Sequence, residues 1–205
     1  VSIFRRVLVA AATAATAVAL TACEPDQVGT AVTVSGDRLS VSDLQGQVMA
    51  VVELRNEAIE DYELGIPPLN PGGDLAEIQQ SELERWVASH LFESVAADLG
   101  IEISEAEVDE FLDQLAAQFP DGDITPFLAE QGFTEDTVRA AVRIQLINDQ
   151  LVQAAGGEAP AQEAVASAIE RLDVDVNPRY GAWTETGLSA ESGSVSRPFE
   201  AAAPE

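Results

Sequence analysis

The chain contains no lysine, one cysteine, one histidine, two tryptophans and two tyrosines in 205 residues. A lone cysteine excludes an intramolecular disulfide, so stability must come from packing. A single histidine, His90, offers no imidazole pair for a metal, and no serine or cysteine stands at a telling spacing from it. It is read as a partly buried, hydrogen-bonded helix residue. With no lysine, ten arginines face 36 acidic residues, for a formal charge of −26. Such a surface repels phosphates, which excludes nucleic acid as a partner, and it holds the protein body off anionic headgroups. Phosphate-binding glycine loops and zinc-ligand spacings are also missing. The acidic runs Glu57-Glu60-Asp61-Glu63 and Glu105-Glu107-Asp109-Glu110-Asp113 lack the glycine-turned loop of a calcium site and read as solvated helix faces. Asp121-Gly122-Asp123 reads as a turn, and no carboxylate pair is singled out for glycoside hydrolysis. The expectation is no metal, no cofactor and no catalysis.

The one cysteine has a telling place. Arg5 and Arg6 precede an Ala/Val/Thr/Leu run from Val7 to Leu20, which ends in Leu20-Thr21-Ala22-Cys23. A basic start, a short apolar region and small residues form the layout of an export signal. The run is shorter than the roughly 20 residues a membrane-crossing helix needs. The tetrad resembles the lipobox of bacterial lipoproteins, which implies cleavage before Cys23, a diacylglycerol thioether on its sulfur and acylation of the new amino terminus. Two or more acyl chains give lasting attachment. The expected organisation is therefore a signal peptide over 1–22, a lipidated tether over 23–31, one domain over 32–183 and a disordered tail over 184–205, on the extracytoplasmic face of the cell membrane. Removal of Arg5 and Arg6 makes the remainder still more acidic.

Within the domain, Val32 and Val34 alternate with polar residues as a half-buried strand that turns at Gly36-Asp37. Ser40 with Asp43, and Ser104 with Glu107, are helix-start signatures, as is Thr134. Apolar residues recur at helical spacing after each, and after Asp74, the expected cap of the second helix. The helix after Thr134 is apolar nearly all round, which predicts a central position. Gly65 to Gly73, with three prolines, is an exposed loop. A last helix carries Val165, Ile169 and Leu172, and Val174 and Val176 alternate as a second short strand. The predicted fold is mostly α, a helical bundle in which the strand at Val32–Val34 pairs with that at Val174–Val176 and so joins the domain's two ends. Trp86 and Trp183 are expected in the core.

This order of elements, the segment Phe127-Leu128-Ala129-Glu130-Gln131-Gly132-Phe133-Thr134-Glu135, and above all Val174-Asp175-Val176-Asn177-Pro178-Arg179-Tyr180-Gly181-Ala182-Trp183 resemble SurA-type and PrsA-type chaperones. The resemblance implies a SurA N-terminal-like chaperone domain formed by the N-terminal region and a C-terminal helix, between which relatives commonly carry a parvulin prolyl isomerase domain. Here only a short Gly/Glu/Pro linker separates the helix ending near Gln153 from that starting near Ala161, too little for a domain of about 50 residues or more. The implied function is a membrane-tethered holdase for exported, unfolded polypeptides without prolyl isomerase activity. The alternative is an adaptor lipoprotein that holds one folded partner at the cell surface. Apolar residues outside the periodic stripes, Ile66, Leu69, Phe127 and Phe133, are the candidate client contacts, with core burial as the competing reading of each.

Overall fold

Alternating valines and a two-residue turn start the fold. The computed structural model describes residues 29–184 and 187–189. Strand β1 (Thr30–Val34) runs into Ser35-Gly36, both at positive φ (51° and 98°), and returns as β2 (Asp37–Ser40). Two positive-φ residues match the right-handed twist of a hairpin. β3 (Val174–Val176) pairs with the other edge of β1, antiparallel, with Val32 opposite Val176 and Val34 opposite Val174. The expected pairing of the domain's ends is present, and β1 is the centre of a three-stranded sheet ordered β2-β1-β3.

Six helices fill the interval: α1 (Val41–Tyr62), α2 (Ala76–Leu99), α3 (Glu105–Ala116), α4 (Thr125–Gln131), α5 (Glu135–Ala155) and α6 (Glu158–Arg171). Local chemistry sets their ends. The Ser40, Ser104 and Thr134 side chains each accept from the backbone N–H three residues on, and Ser104 with Glu107 closes a reciprocal capping box. Gly100 ends α2 in the left-handed region at φ 67°, which lets Ile101 donate back to Ala96 O at 2.8 Å and bury itself. Asp74 acts one position earlier than expected: Leu75 is the N-cap, and Asp74 accepts from Ala76 N–H at 3.0 Å. Helix α3 stops at Ala116, before Pro120, which opens a single 3₁₀ turn.

Helix α2 is the spine, about 36 Å long at 1.5 Å per residue. Its first half supplies Leu83 and Val87 to a core with β1, Leu39, Leu44, Val48, Val176 and Tyr180. Its second half supplies Val95 and Ala96 to another core with Ile101, Ile147, Leu151, Ala161 and Ala168. Helix α5 packs on α2, α3 and α6, as its apolar surface predicts. Trp86 and Trp183 both lie against the first core. No described helix is long and apolar enough to cross a membrane.

The structure redraws the domain's margins. Thr30 and Ala31, read from sequence as tether, belong to β1 and are buried. Thr184 and Gly187–Ser189, read as tail, pair: β4 (Ala182–Thr184) runs antiparallel to β5 (Gly187–Ser189). The cause is Gly181, at φ 125°, where a Cβ would lie 2.2 Å from Ser189 O; only glycine lets the strands approach there. The stretch expected to be a signal peptide, Cys23 with the rest of the expected tether up to 28, and the expected tail from 190 lie outside the described residues.

Candidate functional site

The Asn-Pro-Arg-Tyr stretch is a clasp. Asn177 donates from its backbone N–H to Ala31 O at 2.9 Å and from Nδ2 to Thr30 O at 2.9 Å, prolonging the β1–β3 ladder. Tyr180 N–H donates to Asn177 O at 2.9 Å, which folds the tyrosine ring into the first core at 8% exposure. Arg179 lies over that ring, 5.2 Å from its centroid. These residues close the fold.

An open groove of about 540 Å³ lies between α5 and α6. Gly156-Gly157, at φ 83° and 145°, folds α6 back on α5 with no residue between the helices beyond the two glycines. Leu151, Val152, Ala161, Val165, Ala166 and Ile169 form its walls, with Asn148, Gln162 and Glu158 as its polar members. Val152 and Ile169 are 45% and 44% exposed, among the few large apolar side chains left to water. Leu151 and Ala161 also belong to the second core, so the floor is rigid while the rim is open. An apolar trough with three scattered polar groups can hold side chains by area, at about 25 cal/mol per Å² covered, and offers no convergent acid, base or nucleophile.

A second cleft of about 410 Å³ lies between α1, the proline-rich loop, α2 and α4. Its loop wall is pinned: Asn56 donates to Leu69 O and accepts from Leu69 N–H, each at 2.8 Å, and Arg55 Nε donates to Pro67 O at 3.2 Å. Between this cleft and a smaller one sits a buried ion pair. Glu82 is 2% exposed and accepts from Arg85, whose guanidinium also donates to Gly132 O at 3.2 Å and lies 4.8 Å from the Phe133 ring centroid. Burial pushes the Glu82 carboxyl above its ordinary value, and Arg85 pulls it part-way back. Arg85 Nε is buried without a partner.

Of the four apolar candidates from sequence, Leu69 lines the second cleft. Phe127 stacks obliquely on Phe119 at 5.6 Å, Phe133 lies under Arg85, and both are half-buried, as is Ile66. None of the four lines the α5–α6 groove. The groove was not legible in the sequence because α5 reads as wholly internal; the available signal was the small Ala161 and Ala166 on α6, where larger side chains would fill the seam. His90 Nδ1–H donates to Trp86 O at 2.8 Å, its ring 4.0 Å from that of Trp86, with Asp37 3.7 Å from Nε2. That is the hydrogen-bonded helix residue expected.

Residues 3–152 match the family model of the SurA-like N-terminal domain. The chain belongs to the SurA-like N-terminal domain family. No curated protein and no solved structure matches it. The SurA/PrsA-type resemblance read from the residues is thereby established, and with it a chaperone-type family. In this SurA-like domain the family match ends at Val152, within α5; α6 and the Asn177 clasp lie beyond it. The matched region thus contributes one wall of the groove, and α6 the other.

Proposed function

We propose that this SurA-like chain is a holdase that shields unfolded, exported polypeptides, lipid-anchored through Cys23 on the extracytoplasmic face of the cell membrane, without prolyl isomerase activity. One observation carries the reading: an open apolar groove with a rigid floor, in a domain of a chaperone-type family. A holdase needs affinity that is broad and reversible. Area burial against Val152, Val165 and Ile169 supplies it, being non-directional and indifferent to the order of apolar side chains. The two-glycine junction between α5 and α6, where relatives carry their isomerase domain, supports the absence of that activity. The lipobox-like Leu20-Thr21-Ala22-Cys23 supports the anchor.

The test is aggregation of chemically unfolded clients, followed by light scattering, with residues 23–205 carrying Cys23→Ser at up to fivefold excess. Suppression across several unrelated clients is expected, and Val152→Asp with Ile169→Asp should abolish it while the helical circular dichroism is retained. Unchanged aggregation of every client would refute the holdase reading, and a single stoichiometric folded partner on pull-down would favour the adaptor instead. The anchor is checked separately: wild-type chain fractionates with membranes and incorporates labelled palmitate, and Cys23→Ala does neither.

A further inference from the structure

The groove has an electrostatic setting that its apolar walls do not reveal. Glu158 stands on the wall, and Asp149, Glu163 and Glu170 are exposed on the same two helices. The cations of α5 and α6 are all engaged elsewhere. Arg139 pairs with Glu105 and Asp109, Arg143 with Glu105 and with Ile103 O at 2.7 Å, and Arg171 with Asp98. No lysine exists anywhere in the chain to offset the four carboxylates, and the whole carries −26. Glu158 alone lines the groove; the other three carboxylates act on it only through the field of the two helices, which decays over about a Debye length, 8–10 Å at ordinary salt.

We propose that the α5–α6 groove takes extended apolar segments flanked by lysine or arginine and discriminates against segments flanked by acidic residues. The proposal rests on the holdase reading and names its client class. Apolar side chains cover Val152, Val165 and Ile169, while a flanking cation meets Glu158 on the groove wall and the general acidic field of the two helices beyond it. Complementary charge raises the rate of encounter and suppresses the wrong partner, even where each rim pair contributes little alone. The same field disfavours the other occupants. A second copy would bring its own −26, and an anionic lipid surface its phosphates.

The experiment measures binding of three fluorescent peptides to the full lipidated chain in neutral detergent. Each has one central run of five apolar residues, flanked on both sides by two Lys, two Gln or two Glu. At 50 mM salt the Lys-flanked peptide should bind about tenfold more tightly than the Glu-flanked one, and the ratio should fall below about twofold at 0.5 M NaCl. Glu158→Gln with Glu163→Gln should cut the ratio about threefold and leave the Gln-flanked peptide unchanged. Glu57→Gln with Glu60→Gln, on α1 outside the groove, should leave the ratio intact. Equal affinity for all three peptides overturns the charge selectivity but leaves the holdase reading standing. An α1 double variant as effective as the α6 one overturns the assignment to this groove. A self-associated chain that Ile169→Asp converts to monomer would make the groove a copy–copy interface, and overturns the proposal. Binding of none of the peptides, together with unprotected clients in the aggregation assay, removes both readings.

Discussion

Replacing Arg85 by methionine tests how the interior of this acidic chain tolerates charge. The guanidinium neutralises Glu82, which is 2% exposed, and it also serves Gly132 O and the Phe133 face. Breaking a buried pair from one side leaves an uncompensated charge and costs about 3–5 kcal/mol. Two features pull Arg85→Met toward the low end. The Arg85 side chain is 23% exposed, so water reaches the pair. Its Nε is already desolvated without a partner, and removing that atom returns about 1 kcal/mol. A loss of about 2–3 kcal/mol at pH 7.5 is expected, which is a fall of about 1–2 M in the urea midpoint for a domain of this size. The loss must depend on pH. Burial raises the folded-state value of Glu82, so the folded chain holds the proton more tightly than the unfolded chain, and stability from this group is present at low pH and lost as pH rises through the folded value. Arg85 is what lowers that value, and without it the carboxyl moves higher still. Arg85→Met should therefore recover much of its deficit at pH 5, where a neutral Glu82 is buried at little cost. Glu82→Leu with Arg85→Met, which removes both charges, should lie within about 1 kcal/mol of wild type. Urea melts followed by circular dichroism at 222 nm at both pH values decide it. A deficit under 1 kcal/mol at pH 7.5, an equal deficit at pH 5, or a double variant weaker than Arg85→Met alone would refute the reasoning.

Four further outcomes are expected. Ser104→Ala removes the α3 cap and should cost about 1 kcal/mol in the same melts. The Ser104 hydroxyl and N–H hold the Glu107 carboxyl below its ordinary value, so its contribution is present above the ordinary carboxylate range and is lost as pH falls through the lowered value; the midpoint difference between wild type and Glu107→Gln should shrink from pH 7 to pH 3. Gly181→Ala drives a Cβ into Ser189 O and should detach β5, seen as a red shift of Trp183 emission in a Trp86→Phe background and as early proteolysis after 184, while helix content holds. Val176→Asp puts a charge opposite Val32 in the first core and should abolish cooperative unfolding, seen as a broadened urea transition in the same melts.

Much of the fold was legible because its signals are local. Ser40, Ser104 and Thr134 set helix starts through their own side chains, Gly100 and Gly132 set ends through positive φ, and the valine alternation at 32–34 and 174–176 is a period-two signal in an otherwise helical chain. The Asn177-Pro178-Arg179-Tyr180 stretch pointed to the family, but its work as a clasp needs Ala31 and Thr30, far away in sequence, to be adjacent. The Glu82–Arg85 pair was invisible for a related reason. Its i, i+3 spacing reads as a surface pair, and only the elements packed against this part of α2 bury the Glu82 carboxylate while the Arg85 end stays partly open.

The sequence alone determined the acidic balance of the surface, where helices begin and end, which two strands close the domain, and that no isomerase domain separates α5 from α6; these follow from charge, capping, periodicity and length, all readable along one dimension. Tertiary structure alone decided where an apolar surface stays open. Ile66, Leu69, Phe127 and Phe133 stand out in the sequence yet are drawn against neighbours, whereas Val152 and Ile169 continue ordinary helical stripes and remain exposed. A side chain's exposure is set by the volume that the facing helix supplies, and the alanines of α6 supply too little to cover α5.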